Sequence, residues 1–195
     1  MQIIAPDILK KVEEVEHGKP AFALPRTGPS DVLEGIVRRI GETTSWIWAI
    51  LVAAIVVNVT LRYVFGRGYI AFEEIQWHLY GAGFVLGLSY CLTADRHVRI
   101  DVLAERWPVR WRLWIELVGL LIFLMPFVVY VFMEAVPFVV RSYELHEVSV
   151  APGGLPYRWA IKSFMLIGFA LLFVAGLGRL IRVSAALFGW PTPRA

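Results

Sequence analysis

The chain has little charge and almost no cysteine. Only 18% of its 195 residues are charged and 58% are hydrophobic, and the mean hydropathy is +0.63. That balance is too apolar for a soluble domain of this length. Cys91 is the single cysteine, which excludes an intrachain disulfide and a metal cluster built from cysteines. The composition therefore indicates a membrane protein that is held together without disulfides.

The sequence motifs of catalysis are also lacking. The chain has no Gly-rich phosphate loop, no nucleophile elbow and no zinc-type histidine pair. Of its four histidines only His78 falls within an apolar run, whereas a haem between membrane helices needs two histidines at similar depth. We therefore predict that the protein is not an enzyme and binds no cofactor or metal.

Long apolar runs are what the chain does have. Crossing a hydrocarbon layer of about 30 Å takes roughly 20 apolar residues as a helix, or about 10 alternating residues as a barrel strand. Four runs of helix length, none of them alternating, occupy residues 44–65, 75–94, 113–140 and 159–181. They predict an all-α integral membrane protein with four transmembrane helices, in a membrane domain that covers residues 44–182.

The segments outside this domain are predicted to be an N-terminal arm, residues 1–43, and a short tail, residues 183–195. The arm lacks the apolar core of a secretory signal. Its apolar residues recur at helical spacing over residues 4–15, which predicts an amphipathic helix. After a breaker-rich linker, Asp31 and Glu34 have the spacing of a capping box and predict the start of a helix that leads into the first span.

Positive charge is distributed unevenly along the chain. Most of the 19 Lys and Arg residues lie in the N-terminal segment, in the loop between the second and third runs, and in the tail. Cytoplasmic segments retain positive charge, so both termini are predicted to be cytoplasmic. A pI near 9.2 is also found in nucleic-acid-binding proteins, but here the basic residues cluster at the ends of the apolar runs. We therefore predict no nucleic-acid partner.

The loop between the second and third runs carries the most specific motif, because residues 94–103 read ADRHVRIDVL. This segment resembles the signature of the small membrane subunit of tripartite ATP-independent periplasmic (TRAP) transporters, in which a basic residue, His, a β-branched residue and an Asp follow the second span. Further stretches similar to that family are RYVF at 62–65, FEE at 72–74, EVS at 147–149, Gly154, Pro156, Lys162 and GFAL at 168–171.

The resemblance implies a secondary transporter that takes up organic acids, driven by a sodium gradient rather than by ATP. In such systems a periplasmic binding protein delivers the substrate, and a large membrane subunit holds the ion and substrate sites. The small subunit is implied to be a static scaffold in the bacterial inner membrane. The second run agrees with that role, since it has neither the clustered carboxylates nor the broken helix that are typical of midplane binding sites.

The candidate site residues are therefore structural or interface residues. At the predicted periplasmic end, we expect Glu134 to pair with Arg62 or Lys162, because an unpaired charge in hydrocarbon is costly. The alternative is that both cations extend to the lipid headgroups. Two more candidates in this outer charge layer are Glu73 and Glu74. At the cytoplasmic end, Glu116 is expected to pair with an arginine near the end of the last run.

The middle loop and the second span supply the remaining candidates. The loop opens with Asp95, Arg96 and His97. Asp101 is predicted to hold the loop by accepting hydrogen bonds, while the loop's aromatic and basic residues meet anionic membrane lipid. Gly83 and Gly87 form a small-residue face that allows another helix to approach closely. That helix belongs either to this chain or to the large subunit.

Two functions of other classes remain open at this point. One is a four-helix redox subunit that binds haem, which an absorbance spectrum of the purified chain would reveal. The other is a self-contained small channel or exporter, which would support flux without a partner. A shortage of polar residues for lining a pore weighs against the second.

Overall fold

The structure, a computed structural model, describes residues 24–94 and 107–192. Within these ranges the regular structure is entirely helical, with no strand, which confirms the predicted all-α class. The helices are α1 (Gly28–Thr44), α2 (Trp46–Tyr63), α3 (Ile70–Thr93), α4 (Val109–Val118), a π-helical segment (Gly119–Leu124), α5 (Met125–Glu144) and α6 (Arg158–Phe188).

Helix α1 begins earlier than the sequence predicts. Thr27 is its N-cap: the Ser30 N–H donates to Thr27 Oγ1 at 3.4 Å, and the Thr27 N–H donates to Ser30 Oγ at 3.1 Å. This reciprocal pair satisfies two amides that a helix start leaves without partners. The prediction that Asp31 and Glu34 form the capping box is therefore wrong. The predicted amphipathic helix over residues 4–15 lies outside the described residues.

Three helices are long and apolar enough to cross a membrane: Gly28–Tyr63, which joins α1 to α2, Val109–Glu144, which joins α4 to α5, and Arg158–Phe188. The first two have 36 residues each, about 54 Å at 1.5 Å per residue. A hydrocarbon layer of about 30 Å covers only part of that length. The ends of these helices therefore extend beyond the apolar layer.

The second predicted span, residues 75–94, corresponds to α3, which is helical over 24 residues. Helix α3 is not among the helices that qualify as candidate spans. Its first turns carry several polar side chains, namely Glu73, Glu74, Gln76 and His78. Three of the four predicted spans are thus confirmed as candidate spans, and the second stays a prediction.

The last helix also extends past its predicted end. Helix α6 continues to Phe188, so the predicted boundary after residue 182 falls inside it. Val183 and Leu187 are completely buried. They belong to a hydrophobic cluster with Leu24, Val109, Leu113, Leu117, Leu120 and Ala186. The last turns of α6 thus pack against α4 and against the segment before α1.

Helix α6 is the centre of the bundle, where it packs against α1, α3, α4 and α5, while α2 packs against α3. Its most apolar stretch is 39% buried, compared with 11% and 17% in the other two candidate spans. We call the end of the bundle that contains Glu74 the Glu74 end, and the opposite end the Arg182 end. Between these ends, most of the apolar surface of α2 and α5 is exposed.

Candidate functional site

A carboxylate on α3 holds the loop between α5 and α6 at the Glu74 end. The Ser149 hydroxyl donates to Glu74 Oε1, and the Leu155 N–H donates to Glu74 Oε2 at 2.6 Å. The Ser149 N–H also donates to the Leu155 carbonyl at 3.1 Å, which brings the two sides of the loop together. Hydrogen bonds to an ionised acceptor are stronger than neutral ones. Glu74 is therefore the anchor of this loop.

Gly154 is required by the same close approach. A Cβ atom at this position would lie 2.5 Å from Ser149 Cβ and 2.9 Å from Glu74 Oε2. Both distances are below ordinary van der Waals contact, so any side chain would push the loop away from the carboxylate. The glycine lets the loop backbone pass close to the Glu74 side chain.

A carboxylate of the loop itself, Glu147, binds cations in the first turns of α6. Lys162 donates a hydrogen bond to Glu147 Oε2, and Arg158 Nε lies 3.9 Å from Glu147 Oε1. The hydrogen bond from Lys162 holds the pKa of Glu147 below its ordinary value. Lys162 Nζ also lies 4.0 Å from the centroid of the Phe138 ring, a cation–π contact with α5. Glu147 and Lys162 therefore join the loop, α6 and α5.

The charge pairs at this end differ from those predicted. Arg62 Nη1 lies 3.5 Å from Glu73 Oε1, an exposed pair of the kind that contributes little to stability. Lys162 is engaged by Glu147. Glu134 is exposed and has no ion-pair partner among the described residues. The prediction that Glu134 pairs with Arg62 or Lys162 is therefore wrong, because each cation has a nearer carboxylate and Glu134 projects from the outer face of α5.

The Arg182 end is held by guanidinium groups of α6. Arg182 Nη2 donates to the Leu24 carbonyl at 2.7 Å, and Arg182 Nη1 donates to Glu34 Oε1 at 3.1 Å. Arg179 Nε donates to Glu116 Oε1 at 2.5 Å. The contact between Arg179 and Glu116 confirms the predicted pairing of Glu116 with an arginine near the end of the last run. Together the two arginines join α6 to α1, to α4 and to the segment before α1.

The two glycines of the predicted small-residue face of α3 have different surroundings. A Cβ on Gly83 would lie 3.2 Å from the Trp48 ring, so Gly83 packs inside the bundle against α2. A Cβ on Gly87 would meet nothing within 4 Å. Gly83 therefore serves the packing of this chain, and the space beside Gly87 is open.

The loop motif that carries the resemblance lies outside the described residues, so its geometry does not enter the site. This applies to the candidates Asp95, Arg96, His97 and Asp101. Among the described residues, no group of three His, Cys, Asp or Glu side chains is arranged to hold a metal ion.

Sequence reasoning missed several of the contacts at both ends. Ser149 was part of the motif at 147–149, but nothing in the sequence indicates that its hydroxyl meets Glu74. The carbonyl acceptors of Arg182 were also missed, because every residue has a carbonyl group and no residue type marks an acceptor. Gly154 was the one available signal, since a glycine in a loop often permits a close approach of the backbone.

Comparison with known families shows which family the chain belongs to. The model of the family described as tripartite ATP-independent periplasmic transporters, DctQ component, matches residues 51–186. The chain belongs to this family. No individual protein among the curated proteins matches it.

Membership of the DctQ family confirms several predictions. The protein is the small membrane component of a TRAP transporter, a non-catalytic component with a role in transport. Because the system is tripartite, a large membrane subunit and a periplasmic binding protein are its implied partners. The match begins in α2 and ends in α6, so it includes Glu74, Glu147, Gly154 and Arg182, which form the contacts at the two ends.

Proposed function

We propose that this DctQ component is a rigid four-span scaffold for the large membrane subunit, in a transporter that takes up an organic acid by using an ion gradient. The observation that carries the proposal is the contrast between the ends and the middle of the bundle. Polar contacts of Glu74 and Arg182 fasten the loops at the ends, while the apolar sides of α2 and α5 are exposed. A scaffold needs fixed ends and an available lateral surface.

The fourth span of the proposal is α3. Its 24 residues extend about 36 Å at 1.5 Å per residue, enough to cross a layer of about 30 Å. The charged residues of α3, Glu73 and Glu74, lie in its first two turns, so they fall at one interface rather than at the bilayer centre, where a charge costs most. Gly83 of α3 packs against α2, and Val85 packs against Gly168 of α6. These contacts with two candidate spans support the proposal that α3 crosses the same layer.

The positive charge of the chain gives the direction of insertion in this proposal. The Arg182 end faces the cytoplasm together with both termini, and the Glu74 end faces the periplasm. In this orientation the loop held by Glu74 and Glu147 lies on the side where the periplasmic binding protein arrives. Arg62, Glu73, Glu74 and Lys162 shape that surface and do not bind substrate. The open space beside Gly87 is available to a helix of the large subunit.

Reconstitution tests the scaffold role. Proteoliposomes would contain this chain alone, the large subunit alone, or both, and uptake of a labelled organic acid would be measured with the binding protein and an imposed sodium gradient. We expect uptake only when both membrane subunits are present. Uptake by this chain alone would contradict the proposal and favour a self-contained carrier.

Terminal tags test the orientation separately. A tag on either terminus of the full-length chain should be protected from protease in intact cells whose outer membrane has been permeabilised. A cysteine introduced at Val150, which is 97% exposed in the loop at the Glu74 end, should react with an impermeant maleimide, with a Cys91→Ser background as the control. Protease cleavage of the terminal tags, together with no maleimide labelling of the cysteine at position 150, would contradict the proposed topology.

A further inference from the structure

Helix α4 has a buried face and an exposed face of different chemistry. Val109, Leu113 and Leu117 recur every four residues and are between 0% and 8% exposed, so they fix α4 in the hydrophobic cluster of the Arg182 end. Trp111 and Ile115 face away from that cluster and are 65% and 49% exposed. Because the buried face holds the helix in place, the orientation of the exposed side chains is also fixed.

The exposed side chains form two adjoining grooves that share Trp111 as a wall. One groove has a volume of about 380 Å³ and is lined by Arg110, Trp111 and Trp114. The other has a volume of about 480 Å³ and is lined by Trp107, Pro108, Trp111 and Ile115. Both volumes fall in the range of small-ligand sites, roughly 300–1,000 Å³. The Trp114 ring makes an edge-to-face contact with the Phe188 ring of α6, with the ring centroids 5.8 Å apart. This contact holds Trp114 in place as a wall of the first groove.

The grooves continue into an apolar ridge along the candidate span. Trp111, Ile115, Val118 and Ile122 follow one another at helical spacing, and all four are exposed. The ridge starts at the first turns of α4 and runs towards the middle of the span Val109–Glu144. A hydrocarbon chain that leaves a groove can therefore stay on apolar surface over about three turns of helix.

Charge and shape together select the occupant of this surface. Arg110 is exposed and lines one of the two grooves, whereas Glu116, the acidic residue of α4, contacts Arg179. Tryptophan and arginine at the level of the headgroups are typical of contact with anionic lipid. A helix–helix contact in a membrane favours small residues instead, and the sequence of α4, VRWRLWIELV, contains none.

We propose that the two grooves bind one anionic diacyl phospholipid, with its phosphate at Arg110 and its acyl chains on either side of Trp111. The lipid then fills the space between the start of α4 and the surrounding bilayer. This inference depends on the span Val109–Glu144 crossing the membrane, and it does not depend on the proposed scaffold role. A failed uptake experiment would leave it intact.

Native mass spectrometry of the full-length chain in detergent micelles tests the site, with phosphatidylglycerol and phosphatidylcholine titrated separately. Loss of one cation near the lipid surface is worth about fivefold in affinity. Arg110→Gln should therefore weaken phosphatidylglycerol binding about fivefold, and phosphatidylcholine binding by less, because choline already neutralises the phosphate of that lipid. Trp111→Ala should weaken binding of both lipids, because both have two acyl chains. Trp46→Ala, at a tryptophan that is 71% exposed on α2, is the matched control and should change neither.

Three results would overturn the inference. The first is equal binding of the two lipids by the unmodified chain, and the second is phosphatidylglycerol binding that Arg110→Gln leaves unchanged. The third is a loss of copurified large subunit from the Arg110→Gln transporter without any loss of bound lipid, which would assign the grooves to a protein partner. Thermal unfolding of each variant by circular dichroism identifies a variant that is misfolded, and Trp111→Phe then replaces Trp111→Ala.

Discussion

Loss of the Arg182 side chain should destabilise the Arg182 end of the bundle. Its guanidinium donates to Glu34 Oε1 at 3.1 Å, to the Leu24 carbonyl at 2.7 Å and to the Pro25 carbonyl at 3.4 Å. The Arg182 and Glu34 side chains are only 13% and 18% exposed. One side chain thus pairs a carboxylate and satisfies two backbone acceptors in a place with little water.

The expected cost of Arg182→Met follows from that burial. Removing one partner of an exposed ion pair costs about 0.2–1 kcal/mol, whereas removing one partner of a buried pair costs about 3–5 kcal/mol. The low exposures of both side chains place this pair near the buried case. We expect a loss of about 3 kcal/mol in the free energy of unfolding. Arg182→Lys should lose less, because an ammonium keeps the charge but cannot reach all three acceptors.

Two measurements on the full-length chain in detergent check this prediction. Chemical unfolding followed by circular dichroism gives the change in stability. Trypsin digestion gives the local effect, because cleavage after Arg26, in the segment that Arg182 fastens, should become faster in Arg182→Met. Glu42→Gln is the matched control, since it breaks the exposed Arg38–Glu42 pair and should change neither result. Unchanged stability and unchanged cleavage after Arg26 in Arg182→Met would refute the reasoning.

The remaining predictions concern packing and the loop between α5 and α6. Gly168→Ala should cost about 1–3 kcal/mol in unfolding free energy, because its Cβ would lie 2.2 Å from a valine methyl of α3. Gly87→Ala should be neutral or stabilise by up to about 1 kcal/mol, because its Cβ meets nothing within 4 Å. A larger loss of stability in Gly87→Ala than in Gly168→Ala would contradict the observed packing. Glu74→Ala should speed hydrogen exchange of the loop amides, whereas Glu73→Ala should not, and equal effects would argue against the anchor. The pKa of Glu147 is lowered in the folded chain by its lysine partner, so its contribution to stability is complete above its unfolded pKa of about 4.3 and is lost as the pH falls through the lower folded value. After correction for the intrinsic pH dependence of amide exchange, the protection of the loop amides should therefore fall below about pH 4, and Glu147→Gln should lose that part of the pH dependence.

Helix positions could be predicted from the sequence because their causes are local. A run of apolar residues indicates a span wherever it occurs, and three of the four predicted runs coincide with candidate spans. The start of α1 was predicted less well, although its cause is also local. Asp31 and Glu34 have the spacing of a capping box, but Thr27 and Ser30 have the same spacing and cap the helix. Two adjacent candidate caps cannot be ranked by spacing alone.

The surroundings of Glu134 could not be predicted, because they depend on the rotation of α5. Buried positions in α4 follow helical steps of four residues through Leu113 and Leu117, but the next buried residues are Leu120, within the π segment, and Met125, just after it, which are five apart. A π turn shifts the face of every later residue relative to a regular α-helix. Glu134 therefore lies on the exposed side of α5.

The contacts that hold the ends could not be predicted because they join distant parts of the chain. Glu74 meets Ser149 across 75 residues, and Arg182 meets Leu24 across 158 residues. The hydrophobic effect does not draw helices together within lipid, because lipid tails are as apolar as the side chains. Helices in a bilayer are therefore held by close packing at small residues and by polar contacts. In this DctQ component close packing occurs at several glycines, among them Gly41, Gly168 and Gly176, and the polar contacts are at the ends. Loss of Arg182 should thus cost more stability than loss of any exposed apolar side chain of α5.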